Sequence, residues 1–217
     1  MRNVFVVGLL FACGSAFAQP TGGDNKKAAP APAPAKSAAA APAAAAPAEP
    51  PAPPKPGPET EALKVFHPKS ATMSGKSPAG AWGPGTPEQP TKGKISCKWA
   101  LNNLWAMCDI EDTTGTGKTA MHWMGHQSAG WDFGAKEYRA VIVDSMGSAA
   151  LMKGKLDGAK LTWESATESF MMGHPMKFRV TFDATDPKAI KMTGEHTGPD
   201  KKWVVDEESV IKPAGGK

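Results

Sequence analysis

Apolar side chains alternate with polar ones through most of the sequence after residue 59, and this alternation constrains the fold more than any other feature. Residues 28–58 are almost wholly alanine and proline, whereas all seven tryptophans lie beyond Glu59. A period of two residues is typical of strands that have one buried face. Turn residues separate the alternating runs, and no long run has the period of a helix. The sequence therefore predicts an all-β domain that follows an unfolded segment.

The first residues have the three parts of a secretory signal peptide. Arg2 supplies a positive charge, residues 4–12 form a short apolar run, and Ala16-Phe17-Ala18 is a small-x-small cleavage site. We therefore expect cleavage after Ala18 and an exported protein, either in the bacterial periplasm or secreted. The apolar run is shorter than the roughly 20 residues that span a bilayer, and no later run is long enough, so the sequence predicts no transmembrane segment.

An alternative to simple cleavage involves Cys13. Leu10-Phe11-Ala12-Cys13-Gly14 loosely resembles a lipoprotein cleavage box, which would anchor the protein through an acylated Cys13. Phe11 is bulky where such a box usually carries a small residue. The sequence favours cleavage after Ala18 for this reason.

The composition divides the whole chain into five segments. The Ala/Pro-rich part has too little hydrophobic bulk to offset chain entropy, and recurrent proline opposes helix, so we expect a disordered tether there. The expected order is a signal peptide at 1–18, the tether at 19–58, an irregular lead-in at 59–91, a β-barrel domain at 92–212 and a disordered tail at 213–217.

Positive and negative side chains nearly balance after residue 58. A nucleic-acid-binding domain would carry a basic stripe, so the sequence predicts no nucleic acid as a partner. The same balance removes an electrostatic reason for binding an anionic membrane surface.

Two cysteines, Cys97 and Cys108, remain after cleavage at Ala18, and an even number in an exported protein suggests a disulfide. They flank Asn102-Asn103, and asparagine tolerates the positive φ of a two-residue hairpin turn. Folding the chain there places the two cysteines directly opposite each other. The same register pairs Leu101 with Leu104, Trp99 with Ala106 and Ile95 with Ile110, all on one face.

Asp157-Gly158 is a second hairpin signal. It pairs Leu156 with Ala159, Gly154 with Leu161 and Met152 with Trp163. Further strands are expected at 118–131, 138–144, 176–183, 189–195 and 202–211. About eight or nine strands joined by short turns close most simply into an antiparallel up-and-down barrel, because closure removes exposed edges. A two-sheet sandwich is the alternative.

One string of residues resembles the motif of the bacterial domain-of-unknown-function 1579 family. The string consists of Gly130, Trp131, Asp132, Tyr138, Asp144, Ser145, Met146, Gly147 and Gly154. Family members carry Gly-Tyr-Asp, a tyrosine, a Trp-x-Asp-Ser segment and a glycine at similar spacing. Trp131 departs from the pattern, and Leu101-Asn102-Asn103-Leu104 replaces the usual Leu-Gly-Gly-Arg. The resemblance covers roughly residues 95–211 and implies a lipocalin-like barrel, with no reaction because the family has none assigned.

Two groups of residues could carry chemistry. His122, Met124 and His126 share one face of a strand and are metal-ligand types, but residues four apart on a strand lie about 13 Å apart. No ligand spacing matches a known metal or haem site, so we expect no metal and no cofactor. Asp144-Ser145 could pair an acid with a nucleophile, but adjacent strand residues face opposite sides and no histidine is placed as a base. We expect Asp144 to bind backbone N–H groups of the Met146-Gly147 turn.

The apolar faces suggest a ligand site inside the barrel. An eight-stranded barrel can hold one small ligand, and methionine suits an adaptable pocket. The predicted lining residues are Trp99, Met152, Trp163, Phe178 and Phe182. The sequence therefore predicts a non-catalytic envelope module that binds a small apolar ligand. The first alternative is a solid barrel that binds a protein partner in the envelope, and the weakest is a hydrolase.

Overall fold

The computed structural model describes residues 52–171 and 173–215. The predictions for the signal peptide, for Cys13 and for most of the tether therefore lie outside the described residues. The chain divides into two units, residues 1–50 and 51–217, and the second contains everything reported below. No helix in the described ranges is sufficiently long and apolar to cross a membrane.

A short helix and twelve strands make up this unit. The elements are α1 (Pro58–Leu63), β1 (Ser70–Ser77), β2 (Gln89–Ala100), β3 (Trp105–Thr114), β4 (Met121–Asp132), β5 (Glu137–Asp144), β6 (Ala149–Asp157), β7 (Lys160–Ser165), β8 (Ser169–Met171), β9 (His174–Met176), β10 (Phe178–Asp183), β11 (Ile190–Thr197) and β12 (Trp203–Pro213), with 3₁₀ turns at Lys64–Phe66 and Gly117–Thr119.

Ten strands close an antiparallel barrel in the order β1-β12-β11-β10-β7-β6-β5-β4-β3-β2. Each strand pairs with its neighbour in sequence except where the separate hairpin β8-β9 is inserted between β7 and β10. The predicted all-β, up-and-down barrel is confirmed, and the sandwich alternative is excluded. The barrel has slightly more strands than the eight or nine expected.

The additional strand comes from the segment that we expected to be an irregular lead-in. Residues 59–91 instead contain most of helix α1, the whole of β1 and the start of β2. β1 pairs with both β12 and β2 and so closes the barrel. Its apolar residues are few, and Ala71 and Met73 alternate with small polar ones, which explains why the sequence pattern there is weak.

The hairpin formed by β2 and β3 has the predicted register over most of its length. Ile95 pairs with Ile110, Cys97 with Cys108 and Trp99 with Ala106. A disulfide joins the two cysteines, whose Cα atoms are 4.1 Å apart. The turn was predicted wrongly, because residues 101–104 form a four-residue turn. Leu101 is 69% exposed while Leu104 is buried, so these two leucines do not share a face.

The second hairpin has a register that differs from the prediction by two residues. Leu156 pairs with Leu161, Gly154 with Trp163 and Met152 with Ser165. The turn is therefore at Gly158-Ala159 and not at Asp157-Gly158. Because side chains alternate with a period of two, a shift of two residues leaves every inward-facing residue on the inward face.

Helix α1 and the following 3₁₀ turn cover one end of the barrel, which we call the closed end. The Tyr138 hydroxyl donates to the Glu59 carbonyl at 3.3 Å, and the Phe66 ring lies 6.5 Å from that of Phe182. Apolar inward-facing side chains fill this half of the interior. They include Ala71, Met73, Ile95, Cys97, Ala106, Cys108, Ala129, Tyr138, Ala140, Met152, Leu161, Trp163, Ile190 and Ile211.

Candidate functional site at the barrel mouth

The opposite end of the barrel, which we call the mouth, has a different inner wall. The loop at residues 78–88 and the hairpin β8-β9 both lie at this end. Its apolar inward-facing residues, such as Ile110, Ile142 and Val180, are only half-buried. Its buried inward-facing residues are largely polar: Ser77, Thr91, Gln127, Ser165, His196 and Ser209. The mouth is therefore the more polar half of the interior.

Side chains of two strands, β2 and β12, form a hydrogen-bonded chain at the mouth. Thr91 Oγ1 lies 3.0 Å from Ser209 Oγ, and the Ser209 hydroxyl donates to Glu207. Thr91 is on β2 and Ser209 is on β12, with β1 between them. The two side chains meet because the intervening residue is Gly75, where an added Cβ would lie 2.4 Å from Ser209 Oγ.

The surroundings of Glu207 disfavour its ionised form. Burial disfavours the carboxylate and, with the negative charges of Asp112 and Asp206, raises the pKa of Glu207 to about 7, although hydrogen bonds from Ser209 and Thr91 act in the opposite direction. The side chain can therefore gain or lose a proton near neutral pH.

Asp112 is a second acidic group in the wall. It lies on the inward face of β3, four residues beyond Cys108. Burial raises the pKa of Asp112, and hydrogen bonds from Thr113 and Thr114 offset part of that rise. Its Oδ1 atom is buried and has no hydrogen-bond partner. A buried oxygen in this state is costly unless a donor reaches it.

A third acidic group, Asp206, is paired. The His196 Nδ1 atom lies 3.0 Å from Asp206 Oδ2, and both side chains are nearly buried. The register of β11 against β12 shifts at Gly194/Glu195, and such a bulge lets two consecutive residues, Asp206 and Glu207, both reach the interior. The Trp82 ring from the 78–88 loop stacks on His196 at 4.7 Å and covers this side of the mouth.

The inner wall contains no lysine or arginine on the ten barrel strands that the structure describes. Strand cations such as Lys153 and Arg179 face outward, where they pair with Glu137 and Glu195 respectively. The acidic inward-facing side chains are Asp112, Asp144, Asp206 and Glu207, and the His196 side chain faces inward beside Asp206. The interior is therefore acidic, with His196 as its single basic group.

The structure distributes the five predicted lining residues unequally. Met152 and Trp163 are each 2% exposed and belong to the packed core. Trp99 and Phe182 are half-buried and pack against that core near the closed end. Phe178, also half-buried, begins β10 at the mouth. The five residues therefore share the inner wall but do not form one compact site.

Trp163 also has a polar atom without a partner. Its ring edge at Cζ3 contacts Gly154, where an added Cβ would lie 2.5 Å away. The indole Nε1 is on the opposite edge of the ring, away from Gly154. This buried N–H donor has no hydrogen-bond partner.

The family-motif residues mainly shape turns and packing. Asp132 accepts hydrogen bonds from the backbone N–H groups of Gly134 and Ala135, and the Trp131 and Tyr138 rings meet edge to face at 4.9 Å. Gly130 lies under the Trp105 ring, and a Cβ there would be 2.7 Å from the ring atom Cδ2.

The second half of the motif forms the turn between β5 and β6. Asp144 Oδ1 accepts from the N–H groups of Met146 and Ser148, which confirms the predicted role of Asp144. Although burial alone would raise the pKa of Asp144, these and other hydrogen bonds lower it. Ser145 Oγ accepts from the Met124 N–H, and Gly147 has a φ of 81°.

The predicted metal-ligand candidates lie on the outer surface. His122 and His126 are exposed; the first lies beside Thr113 and the second pairs with Asp109 at 2.8 Å. In the described part of the chain, no three His, Cys, Asp or Glu side chains are arranged to hold a metal ion. Two surface grooves, of about 330 and 640 Å³, are lined mainly by outward-facing residues and by none of the five predicted lining residues.

Fold and site together define a closed antiparallel β-barrel with a packed apolar half and an acidic mouth. The family model described as "Protein of unknown function (DUF1579)" matches residues 76–207, and the chain belongs to this family. The resemblance seen in the motif residues is thereby confirmed, and it extends into β1. No curated protein matches the chain.

Sequence reasoning did not single out Thr91, Asp112, Glu207 or Ser209. A signal for two of them was present, since Asp112 has the same parity as Cys108 and Ile110, and Glu207 has the same parity as Ile211. A charged residue at an inward position is unusual enough to mark a site. His196 and Asp206 could not be paired in this way, because the bulge in β12 alters the parity.

Proposed function

We propose that this protein is a non-catalytic binding module whose barrel mouth takes a small ligand with an apolar body. The observation that carries this proposal is the half-buried state of apolar residues that face the interior of a closed barrel. Ile142, Val180 and Met192 are half-buried on inward-facing positions, and Ile142 and Met192 also contact the core below them. A ligand that covers such surface gains roughly 25 cal/mol per Å² before the costs of binding.

The depth of the site follows from the packing. Leu161, Trp163 and Met152 fill the lower half of the interior almost completely, so a ligand seats above them. We retain the small apolar ligand that the sequence predicted. We place its contacts on the wall of the mouth and not on the core residues.

Two adjacent residues of β6 supply a matched test. Ala150 faces the mouth and is half-buried, whereas Ala149 is exposed on the outer side. A panel of fatty acids, isoprenoids, long-chain alcohols and hydrophobic dyes is screened by tryptophan quenching and thermal shift. We expect Ala150→Phe to weaken a hit by about tenfold or more, which is at least 1.4 kcal/mol, and Ala149→Phe to leave it unchanged. Absence of any hit, or equal effects of the two variants, would overturn the proposal.

The outer surface supports a second candidate function, an interaction module. Val141, Val143 and Leu151 are exposed at 44–47% on neighbouring strands, and Met124 and Met146 are exposed beside them. An apolar patch of this kind is typical of a protein-binding surface. Under this alternative, a defined envelope partner is retained by the wild-type protein and lost with Val141→Lys, while Ala150→Phe has no effect.

We also propose that the protein acts outside the cytoplasm. The Cys97–Cys108 disulfide supports this location, because disulfides persist in oxidising compartments. Mass spectrometry of the protein from its native cells should show a chain that begins at Gln19. A lipid on Cys13 would instead indicate a membrane-anchored protein.

A further inference from the structure

We propose that the ligand of the mouth is an organic cation, such as a protonated primary amine on an apolar chain, whose charged group binds between Asp112 and Glu207. This inference rests on the proposed function, because it names the ligand class of the same site. It differs from the sequence-based expectation of an apolar ligand, which specified no charge.

The first argument is the sign of the charge inside the barrel. Asp112, Asp206 and Glu207 face the interior at the mouth, and His196 is engaged by Asp206. The described barrel strands contribute no inward-facing lysine or arginine. An anionic ligand such as a fatty acid would meet like charge without a compensating cation, whereas an ammonium group would find opposite charge.

The second argument is hydrogen bonding. Asp112 Oδ1 is a buried acceptor that lacks a donor. Glu207 receives the Ser209 hydroxyl and keeps further acceptor capacity, because an ionised carboxylate has about four lone-pair sites. An ammonium group has three donors and no acceptor, which suits two carboxylates and the Thr91 hydroxyl beside them.

The third argument concerns the ligand's body and is independent of the acidic groups. Ile110 on β3 lies two residues below Asp112 on the same face and is half-buried, as are Ile142 and Val180 across the mouth. Deeper in the interior, Trp163 is 98% buried and its Nε1 donor has no hydrogen-bond partner. An apolar chain would cover the first set, and a chain that carries an acceptor oxygen could also reach the indole.

Binding should couple to protonation. Glu207 is faced by Asp112 from β3, by Thr91 from β2 and by Asp206, His196 and Ser209 from β11 and β12. A cation favours the ionised form of Glu207, so it should displace a proton from the fraction that is neutral near pH 7. Affinity for the cation should therefore increase between pH 6 and pH 8.

Octylamine, octanol and octanoate share one chain and differ in the charge of the head group, so they are suitable probes. We expect octylamine to bind about tenfold more tightly than octanol at pH 8, with octanoate weakest, by isothermal titration calorimetry on the full domain. Titration at pH 7 in two buffers of different ionisation heat should reveal proton release with octylamine alone. Calcium chloride is included as a metal-ion control.

Two double variants of adjacent residues distinguish a specific effect of the inward-facing acids from a general effect of net charge. Asp112→Asn with Glu207→Gln removes the two inward charges, while Glu111→Gln with Glu208→Gln removes two exposed outward charges from the same strands. The first pair should abolish the preference for octylamine over octanol, and the second pair should preserve it.

The outcomes distinguish this inference from the function on which it rests. Equal binding of octanol and octylamine, or a preference that survives the inward pair, would overturn the cation inference and leave a binding module. Stabilisation by calcium in place of octylamine would overturn it in favour of a metal site. Absence of binding by all three probes and by the wider panel would remove both proposals.

Discussion

The closed end and the mouth of the barrel are formed by the same ten strands, yet burial lowers the pKa of a histidine at one end and raises the pKa of a glutamate at the other. At the closed end, His67 is buried beneath the 3₁₀ turn, its Nδ1 atom lies 2.9 Å from the Leu63 carbonyl, and desolvation lowers the pKa of its ring. At the mouth, desolvation raises the pKa of Glu207. In both places the low-dielectric interior favours the neutral form, which is protonated for a carboxyl and deprotonated for an imidazole.

The two ends also differ in the partners of their inward-facing polar side chains. At the closed end the His67 and Tyr138 side chains are hydrogen-bonded to backbone carbonyls, while Thr60 Oγ1 of α1 and Trp163 Nε1 in the packed core have no partner. The mouth leaves the Asp112 Oδ1 atom unpaired and keeps two further acids close together. The two halves therefore differ in charge: the closed half is filled by apolar side chains, and the inward-facing acids lie at the mouth.

The largest expected effect tests the closed half as the source of stability. Leu161→Ala removes a fully buried side chain from the core and should lower the free energy of unfolding by about 2–5 kcal/mol. Leu151→Ala on the exposed outer face should change it by less than about 0.5 kcal/mol. Urea unfolding followed by tryptophan fluorescence measures both. Similar losses for the two variants would contradict the packed core described here.

A second effect concerns the disulfide that staples the β2-β3 hairpin. Replacing Cys97 and Cys108 together by alanine should cost at most about 3 kcal/mol, since the closed loop is short. Mass spectrometry of the non-reduced wild-type protein should show the loss of two hydrogens. Quantitative labelling of both thiols in the native protein would show that the bond does not form.

A third prediction tests the close approach that assembles the mouth. Gly75→Ala would place a Cβ 2.4 Å from Ser209 Oγ and closer still to the Glu208 carbonyl oxygen, so we expect a loss of roughly 1–3 kcal/mol from overpacking. Gly134→Ala meets only the Asp132 carboxylate oxygen at 3.3 Å and serves as the control. If Gly75→Ala were as mild as the control, the Thr91–Ser209 contact would not depend on the missing side chain.

The last effect is a change in the pH dependence of the free energy of unfolding. The pKa of Glu207 is about 7 in the folded protein and ordinarily 4.5, so the folded state binds more protons between these values and stability falls as pH rises through that window. Glu207→Gln should remove this decline, a difference of about 2.5 kcal/mol between pH 5 and pH 8.

A control is needed because the contribution of His67 to stability has the opposite dependence on pH. The lowered pKa of His67 makes stability fall as pH decreases below about 6.5, and that trend remains in the Glu207 variant. The difference between the unfolding free energies of wild-type and Glu207→Gln, plotted against pH, isolates the contribution of Glu207. A difference that does not change with pH would contradict the raised pKa of Glu207.

Local patterns predicted the strands well and the polar site poorly. The Cys97–Cys108 pair, the turn role of Asp144 and the alternation of β10 follow from neighbouring residues alone, because turn chemistry and side-chain parity are local properties. Met152 and Trp163 were correctly placed on the inward face, but parity cannot tell a packed core from an open lumen. That distinction depends on how far opposite walls of the barrel lie from each other.

The sequence by itself determined that the chain forms an antiparallel barrel, that Cys97 faces Cys108, and that the family motif surrounds the β4-β5-β6 turns. Only the tertiary structure decided that β1 closes the barrel and that Gly75 lets Thr91 reach Ser209 across it. It also decided that a bulge brings Asp206 and Glu207 into one acidic mouth. The physical reason is that the β1–β12 pairing and the Thr91–Ser209 contact join residues more than one hundred positions apart, and closure of the sheet, not local propensity, brings them together.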